Sequence, residues 1–290
     1  MDKQPTIREI LRKTEVYLRE KGVDSPRLGA QVIVASGLGV DRMALFLDLD
    51  RPLKESELAA VRPLVARRAK GEPVAYITGR REFFSLEFAV TPDVLIPRPE
   101  TEMIVEEAVR LFGREEPVRF ADLGTGSGCL AVALAVRFPA ARGVALDANP
   151  AALAVARENA ARHKVEDRLE FAAGDFADVP LPEGGYGCIV CNPPYVSEEE
   201  FRELSPEVAR FEPRAALVPG ASGFEAFPVV AAAAQRALAP GGTLLLEIGW
   251  KQGQAVKRLL ELPEFHFEAV AVLPDLAGHD RMARARKRAS

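Results

Sequence analysis

From about residue 100 onward, short apolar β-rich runs alternate with longer stretches of helical spacing. The segments 118–123, 143–147, 168–172, 186–191, 243–248, 266–273 and 281–286 read as strands, and 128–138, 150–163 and 224–239 read as helices among them. Strands separated by helices pair mostly in parallel, with helices covering both faces of the sheet. This pattern confines residues 98–290 to an α/β fold: a Rossmann-like, seven-stranded, mostly parallel sheet. Ligands in such sheets bind beyond the carboxyl ends of the strands, near the point where strand order reverses. Motifs that directly follow strands are therefore the ones expected to carry chemistry.

The preceding residues have a different character. Ile7, Ile10, Leu11, Thr14 and Leu18 recur at helical spacing, and Leu58, Val61 and Val65 share a face of a later helix that ends at Gly71-Glu72-Pro73. Breaks fall near Gly22 to Pro26, Gly37 to Gly39 and Asp50 to Pro52. Residues 1–75 are expected to form a small helical domain that serves substrate recognition. Residues 76–97, with the aromatic run Phe83-Phe84-Ser85-Leu86-Glu87-Phe88, are expected to form a β-hairpin linker.

The first strand of the α/β region runs into Gly124-Thr125-Gly126-Ser127-Gly128. A glycine-rich strand-to-helix turn brings backbone N–H groups close to a ligand. Dinucleotide sites use G-x-G-x-x-G; the spacing here is G-x-G-x-G, the form used by enzymes that bind S-adenosylmethionine, which has no pyrophosphate to cradle. Asp147 ends the next strand, where a carboxylate accepts both hydroxyls of a ribose. Asp175 and Phe176 follow the third strand and are candidates to hold the adenine amino group and cover a ring face.

After the fourth strand comes Asn192-Pro193-Pro194-Tyr195. The prolines fix two φ angles and push Asn192 towards an extended conformation. The stiff loop then presents the Asn192 Oδ1 and the Pro193 carbonyl as two acceptors beside the Tyr195 ring, a set that suits a planar NH2 group. An amide nitrogen is a poor nucleophile because its lone pair is delocalised. Two acceptors turn that lone pair towards an electrophile and stabilise the positive charge that grows on nitrogen.

The N-P-P-Y motif occurs in amino-methyltransferases acting on adenine, cytosine and glutamine. Leu95-Ile96-Pro97-Arg98-Pro99-Glu100-Thr101-Glu102, the Gly124 to Gly128 turn, Glu247-Ile248-Gly249 and Asp275-Leu276-Ala277-Gly278 narrow the choice. Over essentially its whole length the chain resembles the protein glutamine N5-methyltransferases that act on peptide chain release factors. The resemblance implies a class I S-adenosylmethionine-dependent fold and methylation of the glutamine in the Gly-Gly-Gln motif of class 1 release factors. It places the cofactor at Gly124, Thr125, Gly126, Ser127, Gly128, Asp147, Asp175, Phe176 and Asn192. The substrate glutamine falls to Asn192, Pro193, Pro194 and Tyr195, with Asn192, Pro193 and Tyr195 catalytic. Arg98 and Glu100 shape the neighbouring wall or form an ion pair that fixes the linker. Phe176 stands where some relatives carry tryptophan, which keeps stacking and loses an indole hydrogen bond.

Rival readings share the motif: a methyltransferase for a ribosomal-protein glutamine, or one for adenine in nucleic acid. The net charge of −4 argues against a chain built around phosphate neutralisation. The first 80 residues hold 15 basic and 11 acidic side chains, too mild an excess to mark a nucleic-acid platform. Arg281, Arg284, Arg286, Lys287 and Arg288 lie close together without an acid, and read as a solvated final strand and tail. Three cysteines are too few for a disulfide framework. Cys188 and Cys191 are three apart on one strand and point to opposite faces, so no metal site is expected. No apolar run approaches the roughly 20 residues of a membrane span, and Met1-Asp2-Lys3-Gln4-Pro5 lacks the form of a signal peptide. The reading is a cytoplasmic enzyme, expected to be a monomer, with release factors as partners and no nucleic acid or membrane.

Overall fold

The computed structural model describes residues 4–180, 182 and 184–289; Met1, Asp2 and Lys3, on which part of the N-terminal reading rests, lie outside them. The chain separates into two compact units. One holds the residues up to Arg80 together with Ser205–Phe211, and the other holds Arg81–Leu204 and the residues from Glu212 onward.

The first unit is helical: α1 (Ile7–Glu20), α2 (Pro26–Leu38), α3 (Arg42–Leu47), α4 (Glu55–Ala69), α5 (Val74–Thr78) and, in chain order, α10 (Pro206–Phe211). Helix α1 starts with a reciprocal cap: Glu9 N–H donates to Thr6 Oγ1 at 3.3 Å and Thr6 N–H donates to Glu9 Oε2 at 3.1 Å. Ile7, Val34, Leu45, Leu53, Leu58 and Val61 form its core. Arg68 is buried and donates to the Glu72 carbonyl, to the Asp24 carbonyl and, at 2.7 Å, to Glu207 on α10.

The hairpin of β1 (Arg80–Phe83) and β2 (Leu86–Ala89) turns through Phe84 and Ser85 at φ of 49° and 60°, the left-handed pair that a two-residue hairpin requires. After α6 (Glu102–Leu111) come β3 (Arg119–Leu123), α7 (Cys129–Arg137), β4 (Arg142–Asp147), α8 (Pro150–Arg162), β5 (Leu169–Ala173), β6 (Tyr186–Cys191) and α9 (Glu198–Glu203). The chain ends with α11 (Ala226–Ala237), β7 (Leu238–Glu247), α12 (Gly253–Leu260), β8 (Phe267–Pro274) and β9 (Asp280–Lys287). The seven-stranded sheet has the order β5-β4-β3-β6-β7-β9-β8. Strands β3 to β7 pair in parallel, and β9 runs antiparallel between β7 and β8. Strand β7 begins five residues before the expected 243. Its Pro240-Gly241-Gly242 stretch, which reads as a turn, is a bulge between the pairs Tyr186 with Leu238 and Cys188 with Thr243.

Buried side chains cover both faces of the sheet. Cys191, Ile189, Leu244 and Leu246 pack into the cluster with α11 and α12, and Cys188, Val190 and Leu245 pack into the one with α6 and α7. The two thiols of the C-x-x-C therefore sit on opposite faces, and burial pushes that of Cys188 up to about 12. The basic residues of the last strand are not simply solvated. Arg281 pairs with Asp275, Arg284 with the buried Glu107 of α6, and Arg286 with Glu268, while Lys287 donates to the Leu238 carbonyl. Among the described residues, no helix is long and apolar enough to cross a membrane.

One fully buried polar residue ties the hairpin to the sheet domain. Asn159 on α8 accepts from Ala89 N–H at 2.7 Å and donates to the Ala89 carbonyl at 3.0 Å and the Ser127 carbonyl at 2.8 Å. Leucine at this position would leave three buried backbone groups unpaired. Asn159→Leu is expected to cost about 3 kcal/mol and to lower the thermal midpoint by roughly 6–10 °C; a midpoint unchanged in a circular-dichroism melt would contradict this.

Candidate functional site

Strand order reverses between β3 and β6, so the crevice at their carboxyl ends is where a ligand site forms. The register makes the placement definite. Leu123 pairs with Cys191, so Gly124 and Asn192 leave adjacent strand ends side by side. Leu123 also pairs with Leu146, and Asp147 with Ala173, which brings Asp147 and the Gly174-Asp175-Phe176 turn to the same edge. A cavity of about 650 Å³ opens there. Of the expected site residues, Gly124, Thr125, Gly126, Ser127, Asp147, Asp175, Phe176, Asn192, Pro194 and Arg98 line it; Gly128, Pro193, Tyr195 and Glu100 do not.

The glycine turn is stitched to β4, with Gly124 and Thr125 N–H both donating to the Leu146 carbonyl. Gly124 has φ of 74°, and a Cβ there would stand 3.1 Å from the Phe176 ring, so the turn and the aromatic side chain are in close contact. Gly128, at φ of 80°, serves packing: its Cβ would meet Ala156 of α8 at 3.1 Å. Asp147 is oriented by two backbone donors, Gly126 N–H on Oδ2 and Asn149 N–H on Oδ1, each at 2.8 Å. A carboxylate has about four acceptor positions, which leaves Asp147 capacity towards the cavity it lines. Asn149 caps α8 by accepting from Ala151 N–H at 3.0 Å, with Pro150 following at the first helical position. Asp175 is exposed and accepts from Phe176 N–H at 2.6 Å.

Asp122, one residue before the strand end, is a participant that sequence reasoning did not single out. It is buried, and its Oδ2 accepts from the Thr125 hydroxyl at 2.6 Å and Ala131 N–H at 3.1 Å. Its Oδ1 has no hydrogen-bond partner among the described residues. A lone acid among Phe120, Ala121 and Leu123 was the available signal, since such a residue is rarely buried unless something pairs with it. An orphaned carboxylate oxygen beneath a glycine turn suits a cationic group.

The Asn192 loop is braced from behind. Asn192 Nδ2 donates to Thr101 Oγ1 at 3.1 Å, and the Thr101 hydroxyl donates to Glu247 Oε2 at 2.6 Å. The Tyr195 hydroxyl donates to Glu247 Oε1 at 3.1 Å, and Gln252 Nε2 donates to the Tyr195 carbonyl at 3.1 Å. Glu247 is the last residue of β7, one step beyond the pair of Leu246 with Cys191, and so lies level with Asn192. Burial pushes its carboxyl up to about 7. Burial, together with Glu247, raises the Tyr195 phenol, so Tyr195 acts as a donor and not as a base. Thr101 and Glu247 were missed because neither stands in a recognisable catalytic pattern.

Arg98 pairs with the buried Glu212, which also accepts from Ile96 N–H at 3.1 Å. The expected alternative, an Arg98–Glu100 pair, is corrected by this geometry: Glu100 is exposed, and the fixed partner lies across the wall at the start of the segment Pro213 to Pro219. The arrangement offers a cleft lined by the Asp147 carboxylate at one end and by the braced Asn192 side chain at the other.

The chain matches two family models, the PrmC N-terminal domain over residues 9–79 and the methyltransferase small domain over residues 106–209. It is 45% identical over 282 residues to the release factor glutamine methyltransferase of Nitratidesulfovibrio vulgaris, covering 97% of this chain and 95% of that one. It is 43% identical to the protein of the same name from Cereibacter sphaeroides, covering 96% and 97%. A solved methyltransferase from Pyrococcus furiosus, 18% identical, superposes with a TM-score of 0.50 over 77% of this chain and 97% of that one, and so shares the fold.

The buried Asp122 yields a pH prediction. Burial raises its carboxyl from the ordinary 3.8 to about 7. Its contribution to stability is therefore fully present below about pH 4 and is lost as pH rises through about 7. In denaturant unfolding, the stability of the native chain relative to Asp122→Asn is expected to fall by on the order of 3 kcal/mol from about pH 4 to about pH 8. A difference that stays flat or grows would contradict the assignment.

Proposed function

The chain belongs to the release factor glutamine methyltransferase family, and we propose that it transfers the methyl group of S-adenosylmethionine to the side-chain amide nitrogen of a release factor glutamine, the one in the Gly-Gly-Gln motif of class 1 factors. The observation that carries this reading is the tether of Asn192. With its NH2 engaged by Thr101, its carbonyl oxygen is the end left to meet an incoming N–H.

When bound, S-adenosylmethionine supplies a methyl group activated by a sulfonium sulfur. The cavity residues fit it: Asp147 for the ribose hydroxyls, Phe176 against the adenine face, Asp175 for the adenine amino group, and the Gly124 to Ser127 turn, which lines the cavity, beside the amino-acid end. The orphaned Asp122 Oδ1 supplies the acceptor that an ammonium group there requires. The cavity is then the cofactor's, and the substrate amide approaches from the Tyr195 side of the loop. Asn192 Oδ1 and the Pro193 carbonyl each accept one of its N–H bonds, and the half-buried Tyr195 ring supports its plane. Held so, the nitrogen turns its lone pair to the methyl group, and both acceptors stabilise the charge that develops; the S–C bond would break as the N–C bond forms, S-adenosylhomocysteine would be the leaving group, and the nitrogen would give up one proton to water. Positioning of this kind supplies on the order of 7–11 kcal/mol. Arg98, fixed by Glu212, shapes the wall, and the exposed Glu100 belongs to the rim that meets the factor. The helices of residues 1–75 are assigned to recognition of the factor, and the setting of the reaction is the cytoplasm, on a monomeric enzyme.

Asn192→Ala is expected to remove about 3 kcal/mol of transition-state stabilisation, roughly a 150-fold loss in kcat/KM. Cofactor affinity by calorimetry should change only a few-fold. Near-native turnover in that variant would refute the mechanism.

A further inference from the structure

Two stretches distant in the chain, Pro99-Glu100-Thr101-Glu102 and Glu247-Ile248-Gly249, are both wired to Asn192: Thr101, which lines the cavity, bonds it directly, and Glu247 bonds Thr101. A primary amide side chain has two ends of nearly equal shape and opposite hydrogen-bonding sense. The transfer step needs the oxygen end forward. Something must therefore distinguish the ends, and Pro193 cannot, because it offers no N–H.

The hydrogen-bond chain makes that distinction. Thr101 Oγ1 has one hydrogen, and it goes to Glu247 Oε2 at 2.6 Å. The hydroxyl is thereby left as an acceptor, and it takes the Asn192 Nδ2 hydrogen at 3.1 Å. A flipped Asn192 would set Oδ1 against Oγ1, two acceptors with no hydrogen between them in a site where Thr101 and Glu247 are each 2% exposed. An unmade bond between buried polar atoms is costly. The second oxygen of Glu247 is occupied by the Tyr195 hydroxyl at 3.1 Å, so one carboxylate anchors both ends of the Asn192-Pro193-Pro194-Tyr195 loop.

We propose that Thr101 and Glu247 are positioning residues for methyl transfer: the Glu247 carboxylate fixes the sense of the Thr101 hydroxyl, and Thr101 fixes the sense of the Asn192 amide. The inference rests on the proposed role of Asn192, and its test separates the two. Thr101→Val keeps the volume and removes the hydroxyl. It is expected to lower kcat by roughly 10- to 100-fold while leaving KM for the release factor and the cofactor Kd within about threefold. Thr101→Ser should restore most of the rate, because it returns the hydroxyl. The decisive arm is the double-mutant cycle: in an Asn192→Ala background, Thr101→Val should cost nothing further, since it acts only through Asn192. If Thr101→Val does not fold, Thr101→Ala carries the same cycle. A native rate in the threonine variant, or a loss that adds in full to that of Asn192→Ala, overturns the proposal. A native rate in Asn192→Ala itself overturns the functional reading instead.

Discussion

The pairing of β3 with β6 is the constraint on which the site depends. These are the strands on either side of the reversal in strand order, and parallel pairing in register brings Leu123 opposite Cys191. One residue further on, the glycine turn and the Asn192 loop emerge next to each other, although they are far apart in the chain. A shift of one residue in that register would carry Ile189 and Cys191 to the opposite face of the sheet, out of the cluster with α11 and α12. The apolar burial that stabilises the sheet therefore also specifies the spacing of the reactive groups.

Two buried carboxylates then set the polarity of this edge, in different ways. Asp122 holds the Thr125 hydroxyl and the first turn of α7 with one oxygen, and the other has no partner among the described residues. Glu247 has both oxygens occupied by hydroxyl donors. Burial raises both to about 7, so each opposes folding in its charged form and persists where a ligand or a positioned side chain makes use of it. The fully satisfied carboxylate braces a loop, and the other, beneath the glycine turn, keeps one oxygen without a partner among the described residues.

What was readable in the sequence follows chain direction. Asp147 closes an apolar strand and Asp175 and Asn192 come just after one, and parallel strands deliver their ends to a single edge. The alternation of strand and helix, the cap at Asn149 and the opposed thiols of Cys188 and Cys191 are local properties, and they were legible for that reason. The bracing was not. Thr101 meets Glu247 across 146 positions, Arg98 meets Glu212 across 114, and Asn159 meets Ala89 across 70. These partners are chosen by sheet register and by the path of a connecting loop, which no local spacing encodes. The bulge at Pro240-Gly241-Gly242 was hidden for a related reason: residues that break most strands here extend one.

The central claim is that a braced pair of acceptors presents a glutamine amide to an activated methyl group. The most direct test is methyl transfer from isotopically labelled S-adenosylmethionine to purified release factor, with a Gln→Ala change in its Gly-Gly-Gln motif as the control. The account predicts label on the native factor and none on the control. Label that persists on the control, or that appears only on a ribosomal protein or nucleic acid, would contradict it.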